Sequence, residues 1–187
     1  IVPLQYNEIQ LYDGNVILSD DATDEEKENI YVSLSQNQMV TASAEDLLQK
    51  VTIRSDGTWK EVYLNIPENL DRFSQFVVLQ DRITKEKYAL DDDGAVLTEK
   101  MAKDLNVKAG DSITVRDEKK GDVTVKITHI CENYMGHYLY MTPAVYEKLY
   151  GEAPEYNSVY YRTADRTTEE ATTVGEDILK NDGALSV

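Results

Sequence analysis

Apolar and polar positions along the chain alternate between two periods, and the switch points define its organisation. Residues 15–18 are a short apolar run after the Asp13-Gly14 turn, which predicts a strand. Thr23-Asp24-Glu25-Glu26 then has the form of a capping box, and Ile30, Tyr31 and Leu34 recur at helical spacing behind it. At residues 39–44 the period falls to two, with Val40, Ala42 and Ala44 set against Thr41 and Ser43. The opening therefore reads β-α-β up to residue 48.

The middle is strand-like. Val51 and Ile53, then Val62, Leu64 and Ile66, alternate on either side of Ser55-Asp56-Gly57, a hairpin signal, and Pro67 ends the second strand. Residues 76–79 and 87–90 read as a second strand pair around Ile83-Thr84-Lys85, followed by the acidic turn Asp91-Asp92-Asp93-Gly94. Leu97, Met101 and Leu105 are spaced for one face of a helix that Thr98 caps. Gly110-Asp111 leads into a hairpin with Ile113 and Val115 on one strand and Val123, Val125 and Ile127 on the other. Thr142-Pro143 opens a helix with Tyr146, Leu149 and Tyr150 on its buried face, stopped by Gly151. After a strand at 157–161, Thr167-Thr168-Glu169-Glu170 is a second capping box, and Ala171, Val174, Ile178 and Leu179 form an amphipathic stripe. A last strand begins at Ala184.

This order predicts an α+β fold: a porter-like α/β subdomain formed by the two chain ends, residues 1–48 plus 164–187. It is interrupted by a β-rich subdomain of hairpins or a small barrel, residues 49–163. Neither end looks finished: the chain opens on Ile-Val-Pro-Leu without methionine and stops inside a strand. Both features predict a segment of a longer protein.

Composition narrows the functions. The 187 residues carry 19 basic and 35 acidic side chains, a formal net charge of −16. Nucleic acid, whose phosphates need a basic footprint, is excluded as a partner, and so is docking on anionic lipid. The acidity reads as a solvated, self-repelling surface. Mean hydropathy is −0.50, with no apolar run long enough for a transmembrane helix. The lone cysteine, Cys131, allows no intrachain disulfide.

No motif completes a catalytic or metal site. Gly110-Asp111-Ser112 matches the start of a hydrolase block, but that chemistry needs an Asp-x-x-His pair, and Lys126 and Tyr134 stand three residues before the two histidines. His129, Cys131 and His137 offer three ligands and no fourth. With Gly94 at position six of a calcium loop, positions one and twelve would be Ala89 and Lys100, which cannot ligate. No cofactor and no enzymatic activity are expected. Eight of the 13 tyrosines fall between residues 134 and 161. Tyrosine suits half-wet positions, so these either roof a small barrel core or form an interaction surface, for which Tyr134, His137, Tyr138 and Tyr140 are the candidates.

From Gly94 onward the residues take a more specific form. Gly94-Ala95-Val96-Leu97-Thr98-Glu99-Lys100-Met101-Ala102, Leu105, then Val107-Lys108-Ala109-Gly110-Asp111-Ser112-Ile113-Thr114-Val115 resembles a signature of the extracytoplasmic domain of FtsX-like, MacB-type ABC transporter permeases. Glu132-Asn133-Tyr134-Met135-Gly136-His137-Tyr138-Leu139-Tyr140-Met141, the Pro143-x-x-Tyr146-Glu147-Lys148-Leu149 run and Tyr156-Asn157 are similar to a branch of large permeases common in Gram-positive bacteria. The resemblance implies a non-catalytic domain on the extracellular face of the bacterial plasma membrane, part of a polytopic protein. Its implied partners are the transmembrane helices of the same permease and, across the membrane, an ABC ATPase subunit that hydrolyses ATP. An extracellular protein, peptide or lipid-linked substrate would complete the set. The alternative is a free-standing secreted or surface module that binds through the tyrosine-rich face.

Overall fold

In the computed structural model, which describes residues 2–187, the alternating runs of the middle curl into a ring. Ile1, named above at the chain's opening, lies outside the described residues. A short helix α1 (Val2–Leu4) runs into a π-helical turn (Gln5–Ile9), and then come β1 (Gly14–Leu18) and α2 (Asp24–Gln36). β2 (Val40–Arg54) and β3 (Lys60–Pro67) follow, then α3 (Leu70–Phe73), β4 (Ala95–Thr98) and α4 (Glu99–Leu105). The second half is β5 (Ser112–Asp117), β6 (Gly121–Cys131), β7 (Tyr138–Tyr140), α5 (Pro143–Tyr150), β8 (Ser158–Thr163), α6 (Thr168–Ile178) and β9 (Ala184–Ser186).

The whole is a mixed α+β fold on one large mixed sheet in the order β3-β7-β4-β6-β5-β2-β8-β1-β9, and β3 also pairs with β2. That extra pairing closes β2, β3, β7, β4, β6 and β5 into a ring. Pairing is parallel for β3 with β7 and β4 with β6, and antiparallel elsewhere. Inward positions are almost fully buried: Ile53, Ile66, Leu97, Val115, Ile127 and Leu139 each keep 0% of their surface. Met101 and Leu105 of α4 and Val145 and Tyr146 of α5 join the same core.

β2 is the hinge of the design. Its first half leaves the ring and pairs with β8, which pairs with β1, which pairs with β9. The two strands expected at 39–44 and 51–53 are thus one continuous strand, and residue 48 lies inside it. Helices α2 and α6 cover one face of this sheet, where Ile30, Leu34, Val174 and Ile178 meet Val16, Leu18, Val159 and Tyr161. Gly14 is glycine because a Cβ there would sit 2.1 Å from the Tyr161 ring, whose hydroxyl donates to the Ala171 carbonyl at 2.9 Å.

Several local readings need correction. The strand pair expected at 76–79 and 87–90 reduces to the isolated bridges Gln10↔Val77 and Gln80↔Lys87. The Asp81 carboxylate accepts the Ile83 and Thr84 amides, which makes a side-chain-stapled turn in place of a ladder. Phe76, Val77, Leu79 and Leu90 instead pack from one side, with Phe73, onto Ala44, Val96, Cys131, Tyr140 and Tyr160. Leu97 lies in β4, ahead of α4, and the Thr98 hydroxyl accepts the Tyr138 amide at 3.0 Å and does not cap the helix. Thr23 and Thr167 do cap, yet the acids of both boxes turn elsewhere: Glu26 accepts from the Thr23 hydroxyl and Glu170 from the Asp165 amide. Leu179, assigned to the buried stripe of α6, is 47% exposed; Gly175 takes its place against Val187.

Candidate functional site

The aromatic segment forms the connection from β6 to β7. A β-bulge at Thr128 shifts the register of β6 against β4, so Ile127 and Ile130 both reach the ring's interior while His129 and Cys131 share its outer face. His129 stacks on Tyr88, with centroids 4.1 Å apart, and its Nδ1 is buried without a partner. Burial pushes the Cys131 thiol up to about 12, leaving an inert packed side chain. Among the described residues no group of three His, Cys, Asp or Glu side chains is placed to hold a metal. Ser112 is exposed at the start of β5.

Glu132 anchors the connection. Its buried carboxylate accepts from Gln80 Nε2 at 2.8 Å, from Lys85 Nζ at 2.8 Å and from the Tyr134 hydroxyl. Desolvation pushes this carboxyl upward, but the hydrogen bonds from Lys85, Tyr134 and Gln80 and the lysine charge outweigh it and hold the group below its usual range. Arg82 lies over the Tyr134 ring, 4.8 Å from its centre, and pairs with Glu99. The stapled turn at 81–86 is thereby clamped to the aromatic connection.

The second anchor comes from the other end of the chain. Gln5, fully buried in the π-helical turn, donates from Nε2 to Asn133 Oδ1 at 2.8 Å. Its Oε1 accepts the amides of Tyr134 at 2.8 Å and Met135 at 3.2 Å. Asn133 Nδ2 in turn donates to the carbonyls of Met135 and Gly136. A π-turn places one side chain out of step with the helix around it, and such turns recur at functional positions. Here it delivers Gln5 into the loop.

Of the four residues named as a surface, Tyr134, His137 and Tyr138 are partly exposed. Tyr140 is not a surface residue: it is 2% exposed, pointing from β7 into the layer of Phe73, with ring centres 5.7 Å apart. The outward residues that accompany the patch are Met135 at 41% and Tyr63 at 41%, the latter 6.2 Å from Tyr138 ring to ring. Sequence reasoning missed Gln5 and Tyr63. Gln5 carries no pattern, whereas Tyr63 was legible as the outward member of an alternating strand.

Two grooves mark the surface. One, of about 560 Å³, follows β2 past Gln49, Lys50, Lys120 and Tyr146. Its lining mixes cations with acids, and two of the cations are paired, Lys50 with Glu61 at 3.5 Å and Lys120 with Glu152 at 2.5 Å, so it presents no field of one sign. The other, of about 650 Å³, lies between Tyr6, Tyr12 and α6 and is spanned by Arg166, which pairs with Asp13 at 3.1 Å. Neither brings a nucleophile together with a base.

Among solved structures, the fold is that of extracytoplasmic domains of ABC transporter permeases. The chain is similar to the extracellular domain of YknZ, a noncanonic ABC-type transporter from Gram-positive bacteria, with 16% identity, a TM-score of 0.54 and coverage of 89% of this chain and 91% of that one. It is also similar to the periplasmic region of MacB from Actinobacillus actinomycetemcomitans, with 10% identity, a TM-score of 0.51 and coverage of 92% and 86% respectively. No family model and no curated protein matches the sequence. No helix among the described residues is long and apolar enough to cross a membrane.

Proposed function

We propose that the chain is a non-catalytic extracellular domain of an ABC transporter permease. It couples ATP-driven movement of the permease's own transmembrane helices to an external substrate or protein partner, with ATP hydrolysis in a separate ATPase subunit. The observation that carries this reading is the fold shared with YknZ and MacB over about nine-tenths of the chain. In this reading the porter-like body is 1–48 plus 164–187 and the β-rich body is 49–163, joined through β2 and β8. β8 falls within 49–163, yet its Val159 and Tyr161 pack in the core of the ends. The Gln5 tie gives movement of the first helical segment a direct route into the loop that bears Tyr134 and Met135.

The test uses the full-length permease with its ATPase in vesicles, carrying Met135→Cys as a labelling site. The labelling rate is expected to change several-fold between nucleotide-free and vanadate-trapped states. Adding Gln5→Ala, which leaves two amides and Asn133 without their partner, is expected to abolish that difference while basal ATP hydrolysis persists. Equal labelling in every nucleotide state would contradict coupling.

A further inference from the structure

The seam where the strand ring meets the four-stranded sheet holds a polar cluster with no part in the coupling described above. Asp46, midway along β2, has no exposed surface, and neither of its carboxylate oxygens has a hydrogen-bond partner. Asn65 of β3 is likewise fully buried with Oδ1 unpartnered, while its Nδ2 donates to the Tyr160 hydroxyl of β8 at 2.5 Å. Ser158, opposite Asp46 on the β2–β8 ladder, gives its proton to Asn15 Oδ1 of β1 at 2.9 Å. All three open atoms are acceptors. With the Ser158 proton spent on Asn15, the cluster holds fewer donors than open acceptors: the Tyr160 hydroxyl, which accepts from Asn65, still has its own proton to give.

Among the described residues, no positively charged group acts on Asp46. β8 presents Ser158 and Tyr160, β3 presents Asn65, and the segment before β1 contributes Tyr12. β7 contributes Tyr138 and Tyr140. Burial first, and the Asp46 charge among other causes, pushes all four phenols upward, so each stays neutral. Glu45, the next residue along β2, faces the opposite side, where Glu68 and Arg72 act on it. Phe73 and Phe76 close the cluster with apolar surface. An ionised carboxylate here would be a buried charge without a counter-ion, whereas the protonated acid is neutral and adds a donor to the open acceptors around it.

We propose that Asp46 is a proton-operated latch: it holds a proton while ring and sheet are closed on each other, and its ionisation opens the seam. Burial raises its carboxyl to about 7, and the Ser158 and Tyr160 hydroxyls, near the carboxylate without closing a hydrogen bond to it, pull the other way. Closure is therefore favoured on the acid side of neutrality.

Carbon-detected NMR of the aspartate carboxyls of the whole chain reads this directly. One carboxyl is expected to titrate near pH 7, well above the others, and to vanish in Asp46→Asn. Opening constants of the amides around Asp46 and Ser158 are expected to rise about tenfold per pH unit below the midpoint and to lose that slope in Asp46→Asn. Should that variant fail to fold, Tyr160→Phe, which removes a hydroxyl that lowers the midpoint, is expected to raise it further. A midpoint near the ordinary value of about 4, or an unchanged slope in Asp46→Asn, would overturn the latch. A midpoint that drops when sodium, potassium or calcium chloride replaces choline chloride at equal ionic strength would also overturn it, in favour of a bound cation.

Discussion

Gly94→Ala is expected to cost about 3 kcal/mol of folding stability or more, the upper end for an overpacked site. The added Cβ would lie 2.3 Å from the Lys126 carbonyl oxygen and 2.9 Å from Thr128 Cγ2. A side chain can rotate away from such a clash, but a carbonyl in a strand cannot. Relief requires β4 to move off β6, and β4 is held on its other side by β7, so the shift travels around the ring. Gly110→Ala is the control. Its φ of +99° strains any side chain, yet nothing lies within 4 Å of the added atom. Strain without a clash costs about 1 kcal/mol. Denaturant midpoints of the two variants decide the matter. If Gly94→Ala is no worse than Gly110→Ala, the close approach of β4 and β6 is wrong.

Asp46→Asn is expected to leave stability unchanged near pH 4 and to raise it progressively toward pH 8. The folded carboxyl titrates at about 7 against an ordinary value of 3.8. Between those values the unfolded chain has released the proton and the folded chain keeps it, so the folded state binds more protons and stability falls as pH rises. Above the folded value both states are ionised and the penalty is constant. About three pH units at ~1.4 kcal/mol each make the full effect about 4 kcal/mol, as an order of magnitude. Asparagine removes the charge and keeps a donor in place. Urea unfolding of both proteins at a series of pH values measures the divergence. Parallel curves would show that Asp46 is either solvated or paired with a cation.

How much of this was legible follows from which forces act locally. The ring was readable because Val62, Leu64 and Ile66, or Ile113 and Val115, alternate strictly and all point into one core. The helix starts at Thr23, Thr142 and Thr167 were readable because a hydroxyl three residues from its amide is a sequence-local bond. Closure of the ring was not, since it depends on β3 meeting both β2 and β7, and only β2 is its hairpin partner. The segment around Phe76 failed for a related reason: its apolar residues serve one face of a distant layer, and short apolar runs look like strands whether or not a partner strand exists. Tyr134 and Tyr140 have the same side chain and opposite fates, decided by the side of β7 and the depth of the loop. Asp46 was invisible altogether. In an alternating strand a lone carboxylate looks like the wet face, and only the tertiary fold turns that face inward.

Impermeant-thiol labelling of intact bacteria producing the full-length permease tests the central claim most directly. Ile83, at the tip of the stapled turn and 88% exposed, is the site for Ile83→Cys. The native Cys131, 2% exposed, gives this domain almost no background. The account predicts that the new thiol is modified as fully in intact cells as after lysis. Modification only after lysis would place the domain on the cytoplasmic side and contradict it.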